Sequence, residues 1–218
     1  MVKQCFFLPL LLVLPLCAQK PNVVVIISDD AGYSDWGFMD DYLQTLNPGQ
    51  PKSTVPTPNL DALRKRGTLL TNAYTAAVCS PSRAAIVTGS YQQRIGYEYN
   101  INNLTGANDV DGLSSDAVTI FDRMKSEGYT TGVVGKWHLG ARANDSGDGN
   151  RPEHQGVDEF FGIWKGSRNY TIGAVGGSGT LRETFASPFT DTVLETTPPW
   201  NTTNKYVTNA FGIGAVNF

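Results

Sequence analysis

Residues 116–140, DAVTIFDRMKSEGYTTGVVGKWHLG, decide the fold. Val118, Phe121 and Met124 recur at helical spacing from Asp116 to Glu127, and Gly128 supplies the residue that ends such a helix. Tyr129–Gly135 then reads as a strand of the kind buried on both faces. The strand runs directly into Lys136-Trp137-His138, so a cation and a potential general base follow a strand end. Strict alternation would place Lys136 and His138 on one side of an extended segment and Trp137 on the other. A lone Lys-x-His is equally compatible with ordinary surface residues.

Two further stretches share this plan. Asn22–Ser28 (NVVVIIS) is a β-branched run that reads as a buried strand, and it ends in Asp29-Asp30 before Ala31-Gly32. Adjacent carboxylates converge only where a strand breaks into a loop. Placed together they repel, and one takes up a proton unless a cation lies between them. A hard divalent ion, calcium or magnesium, suits such oxygen ligands; two solvated aspartates opening a loop is the other reading. Open α/β sheets bind ligands beyond the C-terminal ends of their strands, where both motifs fall.

The second stretch is Cys79-Ser80-Pro81-Ser82-Arg83-Ala84-Ala85-Ile86-Val87-Thr88-Gly89. Ser80 as N-cap, Pro81 in the first turn and Gly89 past the end predict a short helix beginning directly after Cys79. Cys79 then sits at a positive helix end with Arg83 one turn along the same face. A nucleophile, a helix N-terminus and a guanidinium suit a tetrahedral oxyanion. A buried cysteine before an ordinary capped helix is the bland alternative.

The remaining elements are predicted from turn chemistry. Residues 39–56 read as a polar surface loop, and Thr57–Gly67 as a helix with a basic last turn. Thr68–Thr75 is expected to be a strand, 97–115 a loop, 144–150 a flexible loop, 166–180 Gly- and Ser-rich loop, and 196–204 turns. His154, the only other histidine, reads as structural or peripheral, and Arg94 as structural or as touching an anion. Asp35 reads as a loop residue.

Length and composition bound the rest. The 218 residues suffice for one sizeable domain, and a net charge of −3 without a basic run gives no sign of nucleic-acid binding. Lys3, an apolar Cys5–Leu16 and Ala18 read as a signal peptide over residues 1–18. Its apolar core, with Pro9 and Pro15, is too short to span a bilayer, and Leu14-Pro15-Leu16-Cys17 is a poor lipoprotein signal. Cleavage would leave Cys79 as the only one of three cysteines in the mature chain, residues 19–218. The expected location is outside the cytoplasm: periplasmic, secreted or lysosomal according to host. Asn103, Asn144, Asn169 and Asn201 head glycosylation sequons that matter in a eukaryotic host.

CSPSRAAIVTG resembles the signature of the formylglycine-dependent sulfatases, members of the alkaline-phosphatase superfamily. PNVVVIISDDAGYSDWG is similar to that family's opening motif, GYTTGVVGKWHLG to its second signature, and YQQRIG and PEHQGVDEFFG to adjoining segments. The resemblance implies an α/β fold with a mostly parallel sheet flanked by helices. It implies that Cys79 is oxidised by a formylglycine-generating enzyme, which reads Pro81 and Arg83. Asp29, Asp30 and the residue-79 hydroxyl would bind the cation, calcium or else magnesium. Arg83 and Lys136 would stabilise the nucleophile and developing charge, and His138 would accept a proton. The implied substrates are sulfated glycans or aryl sulfates; phosphodiesters or phosphonates are the alternative within the superfamily.

Family members also carry a later Asp-Asn-type metal pair and a further His and Lys. After residue 160 there is no Asp-Asn pair and no histidine. The expectation is therefore the N-terminal portion of a catalytic domain, with activity of this chain alone left open. A fragment, a truncated reading frame and an inactive, degraded paralogue are the alternatives.

Overall fold

The computed structural model describes residues 20–101, 112–114, 116–140, 150–167, 170–172, 182–186, 189–193 and 205–217. The signal peptide, the four sequons, the 144–149 tract and the 196–204 turns lie outside the described residues. The chain forms two units, Met1–Leu69 and Leu70–Phe218.

The first unit holds helix α1 (Asp40–Leu46) and helix α2 (Pro58–Arg66). Residues 39–56 are therefore not simply loop. A single-turn 3-10 helix, Gly37–Met39, leads directly into α1, and Asp40 and Asp41 place negative charge on its first turn. Helix α2 matches the expected 57–67 helix, with Pro58 at its start and Arg64, Lys65 and Arg66 in its last turn. Its Thr57 hydroxyl donates to Asp61 (2.9 Å) and accepts the Gly37 amide (3.3 Å). Asn22–Ser28 corrects the sequence reading. No described strand pairs with it, and Val23, Val24, Val25, Ile26 and Ile27 are all exposed. A β-branched run supplies propensity, but a strand needs a hydrogen-bonding neighbour, and without one propensity does not decide.

The second unit contains helix α3 (Cys79–Thr88), helix α4 (Ile120–Ser126), strands β1 (Gly132–Lys136) and β2 (Glu159–Ile163), strands β3 (Thr171–Ile172), β4 (Arg182–Ala186), β5 (Phe189–Val193) and β6 (Lys205–Tyr206), and helix α5 (Val207–Asn217). Thr68–Thr75 is not a strand. The main sheet has the order β1-β2-β4-β5, and β3 pairs with β6 separately. Strands β1 and β2 are parallel, with Gly132 opposite Glu159 and Lys136 opposite Ile163. Beyond them β2/β4 and β4/β5 are antiparallel.

The apolar run of β1 is continuous because both faces are covered. Val133 and Phe160 join a core with Ala84, Val87, Leu113 and Trp137, while Val134 and Phe161 pack against Val207, Ala210 and Phe211 of α5. Phe161 and Phe211 meet edge to face, 6.2 Å apart. The unit is thus α/β, a sheet between helices. Gly135 and Gly162 face each other in the register, and a Cβ at Gly162 would overlap the Gly135 carbonyl. A glycine is obligatory there.

Helix α4 is shorter than the expected 116–127 helix. Thr119 stops it, accepting the Asp122 amide (3.2 Å) while Asp122 accepts the Thr119 amide (2.8 Å). Val118 therefore precedes the helix and is exposed.

The parallel pair is locked at its start by Asp158. Its carboxylate accepts the Thr131 amide (3.0 Å) and pairs with Lys125 at 2.7 Å, while the Asp158 amide donates to the Thr131 carbonyl (3.0 Å). Burial raises the Asp158 pKa, but the bonds from Lys125 and from Thr131 outweigh it and hold the carboxyl below its usual value. A lowered carboxylate pKa contributes stability above the unfolded-state value that is lost as pH falls through the folded value. Asp158→Asn should lower stability by about 1–2 kcal/mol at neutral pH. The difference from wild type should shrink as pH drops below the ordinary aspartate range. Chemical unfolding at neutral and acid pH measures it; an equal gap at both would contradict the ionised lock.

Candidate active site around Cys79, Arg83, Lys136 and His138

Cys79 is the first residue of α3, a half-buried free thiol. The helix forms as expected but starts one residue early. Val78, extended at φ −135° and ψ 160°, is the residue before it, and Ser80 is not the cap. Ser80 is instead fully buried, giving its amide to Asn100 Oδ1 (3.0 Å) and taking the Ile101 amide on its hydroxyl (3.4 Å). The Ser82 hydroxyl lies 2.8 Å from the Ala76 carbonyl and 2.9 Å from that of Val78, so it secures the entry to the helix. Pro81 and Ala84 are buried, and Gly89 closes the helix at φ 64°. The thiol is thus presented by a helix N-terminus fixed on its inner side.

Arg83, one turn further on, donates from Nη1 to the main-chain carbonyl of Lys136. That contact joins α3 to the C-terminal residue of β1 and brings the two motifs together. The peptide track of β1 continues past its last residue, since the amides of Trp137 and His138 donate to the carbonyls of Ile163 and Trp164, each at 2.9 Å. Trp137 enters the core, 6.3 Å from the Phe121 ring, and its indole N–H donates to the Asn150 carbonyl (2.9 Å).

The alternation expected of Lys136 and His138 stops at His138, whose φ of +55° is left-handed. A non-glycine residue held there is strained, a feature that clusters at functional sites. The imidazole is buried and lies against Gly166, where any Cβ would collide with the ring. Leu139 is fully buried, and its carbonyl accepts the Leu113 amide (2.7 Å) and the Tyr97 hydroxyl (3.1 Å). Lys136 is half-buried.

Asp29 and Asp30 belong to the first unit, where both are exposed. Asp30 has φ +58°, so the chain leaves the extended conformation between the two carboxylates. The donor set therefore fits a hard divalent cation in kind, two adjacent carboxylates at a break in the chain. Among the described residues no group of three His, Cys, Asp or Glu side chains forms a ready metal cluster. Asp35, expected in a loop, is instead the last residue of a 3-10 turn, Tyr33–Asp35, and accepts the Gly32 amide at 2.6 Å. Arg94 is exposed on the 3-10 turn Gln92–Ile95, and His154 sits on the 3-10 turn Pro152–Gln155.

Sequence reasoning missed Asn100 and Gly166. Asn100 sits among asparagines that read only as loop, and Gly166 opens a glycine-rich tract where no single glycine stands out. It also missed Arg151 and Glu153 beside Trp164. Their clue was a charged pair two residues apart around a proline.

The family model described as Sulfatase matches residues 21–199. The chain is 35% identical over 152 residues to arylsulfatase J of Mus musculus, covering 70% of this chain and 22% of that protein. It is 37% identical over 147 residues to arylsulfatase A of Homo sapiens, covering 67% and 26%. The crystal structure of Ps i-CgsB superposes with a TM-score of 0.65 at 29% identity, over 92% of this chain and 41% of that one. The chain therefore spans about a quarter of the length of these curated relatives. On these grounds it belongs to the sulfatase family.

Proposed function

We propose that the chain contributes to hydrolysis of a sulfuric ester, with residue 79 as nucleophile after conversion to formylglycine. The observation that supports this reading is the bond from Arg83, one turn into the helix that begins at Cys79, to the Lys136 carbonyl at the end of the strand that leads to the strained His138. Once modified and hydrated, residue 79 supplies a geminal diol: one hydroxyl attacks sulfur and displaces the alcohol, and the second loses its proton as sulfate departs and the aldehyde re-forms. Arg83 holds positive charge at the nucleophile, one turn along the helix that presents it. Lys136 provides a compact charge suited to a sulfate oxygen. His138 accepts the proton from the second hydroxyl, in a setting from which burial excludes bulk water. Asp29 and Asp30 would hold a divalent cation, calcium in preference to magnesium, whose chemistry would be to neutralise anionic charge.

Sulfated glycans and aryl sulfates are the proposed substrate classes. The relatives named arylsulfatase and the crystal structure of Ps i-CgsB in complex with k-i-k-neocarrahexaose support both. We place the mature protein outside the cytoplasm; among the described residues no helix is long and apolar enough to cross a membrane.

Three outcomes are expected. Coexpression with a formylglycine-generating enzyme should convert Cys79, read by mass spectrometry as the cysteine-to-aldehyde loss in its peptide. An unmodified thiol throughout would remove the nucleophile assignment. Calcium should release or absorb measurable heat with the wild type and little with Asp30→Asn, and equal heats would take the cation away from this pair. Finally, an aryl sulfate should be offered to this chain and to a version extended to the length of its relatives, both carrying formylglycine. Turnover by the extended version should vanish in Cys79→Ala and fall by about 10²–10⁴ in His138→Ala. Undiminished turnover in His138→Ala would exclude it as the proton acceptor.

A further inference from the structure

Behind His138 lies a charged group that the proposed reaction does not use. The Arg151 guanidinium sits over the Trp164 ring, its carbon 4.2 Å from the ring centre. On its other flank Nη1 pairs with Glu153 Oε1 at 3.2 Å. This pair is nearly withdrawn from water, with side-chain exposures of 15% for Arg151 and 3% for Glu153. The second carboxylate oxygen, Oε2, is buried without a hydrogen bond among the described residues. Exposed ion pairs contribute little, but a buried one is costly to assemble and costly to break. A group of this kind has to be read by what it fixes.

What it fixes is the peptide carbonyl that holds His138. Trp164 is buried, and its carbonyl accepts the His138 amide at 2.9 Å. That bond spans the residue whose φ of +55° is strained, and such a conformation persists only where the surroundings over-determine it. From the other side the Asn150 carbonyl, next to Arg151, takes the Trp137 indole N–H. Two residues past Trp164, Gly166 bears directly on the imidazole. The 150–166 stretch therefore grips Trp137 and His138 at three points, and the Arg151 guanidinium ties its beginning to its end.

We infer that Arg151 and Glu153 are positioning residues for His138. The carboxylate holds the guanidinium flat on Trp164, and Trp164 in turn holds the His138 backbone in its left-handed conformation. The role assigned to His138 rests on the proposed reaction, whereas the positioning does not, and its test needs no turnover.

The test is NMR on the full chain, following amide hydrogen exchange at His138 and the ring signals of His138. With only two histidines in the sequence, the ring signals are readily assigned. Glu153→Gln keeps the shape and removes the charge. It should accelerate exchange of the His138 amide at least about tenfold, the effect of substantially weakening one hydrogen bond, and shift the His138 ring signals. Arg151→Lys keeps a cation but loses the planar stack, and it should do the same to a smaller extent. It decides the question if Glu153→Gln does not fold. Lys125→Met, which breaks the ion pair with Asp158 instead, serves as the control for general loosening and should leave both readouts in place. Unchanged exchange and ring signals in a folded Glu153→Gln or Arg151→Lys would overturn the inference. Equal acceleration in Lys125→Met would overturn it too.

Discussion

Two main-chain hydrogen bonds, from Trp137 to Ile163 and from His138 to Trp164, govern where chemistry is placed in the second unit. They extend the parallel pairing of β1 and β2 by two residues beyond the last paired strand positions. Each contributes only about 1 kcal/mol net. Their importance is geometric, because they carry the paired backbones of β1 and β2 past the last strand positions to His138. Asp158 and Thr131 pin the start, and the Gly135–Gly162 contact brings the two backbones close in the middle. The Lys136 carbonyl that receives Arg83 is thereby held at a defined height above the sheet.

The electrostatics follow from that placement. Arg83, one turn into α3, reaches the main chain at the end of β1, and Ala84, Trp137 and Leu139 beside these residues in the chain belong to one hydrophobic core. Such a low-dielectric setting strengthens attraction for an oxyanion.

Much of the second unit was legible in its residues. Continuous apolar runs with glycine or proline punctuation located α3 and β1, and the strand-end position of Lys136 and His138 followed from them. The sequence reading erred where pattern alone was asked to decide. Asn22–Ser28 has strand propensity, but exposure of Val24 and Ile26 shows that propensity without a paired neighbour does not make a strand. Alternation failed at His138 because a left-handed residue was not foreseeable from its neighbours. Ser80 reads as a cap by type, yet the Ile101 amide claimed its hydroxyl and the Asn100 side chain took its amide. The antiparallel strands β4 and β5 lie in a stretch whose residues gave no periodic signal.

Arg83 reaches main chain at position 136, and this separates two variables that are usually entangled in clustered charged sites. Any residue at position 136 still offers the same carbonyl, so the helix-to-strand tether survives changes there. Substitutions at 136 therefore leave that acceptor in place, whereas substitutions at 83 remove a charge and the donor of the tether together. The two positions look interchangeable as a pair of cations, but only the one at 83 carries its end of this tether in its side chain.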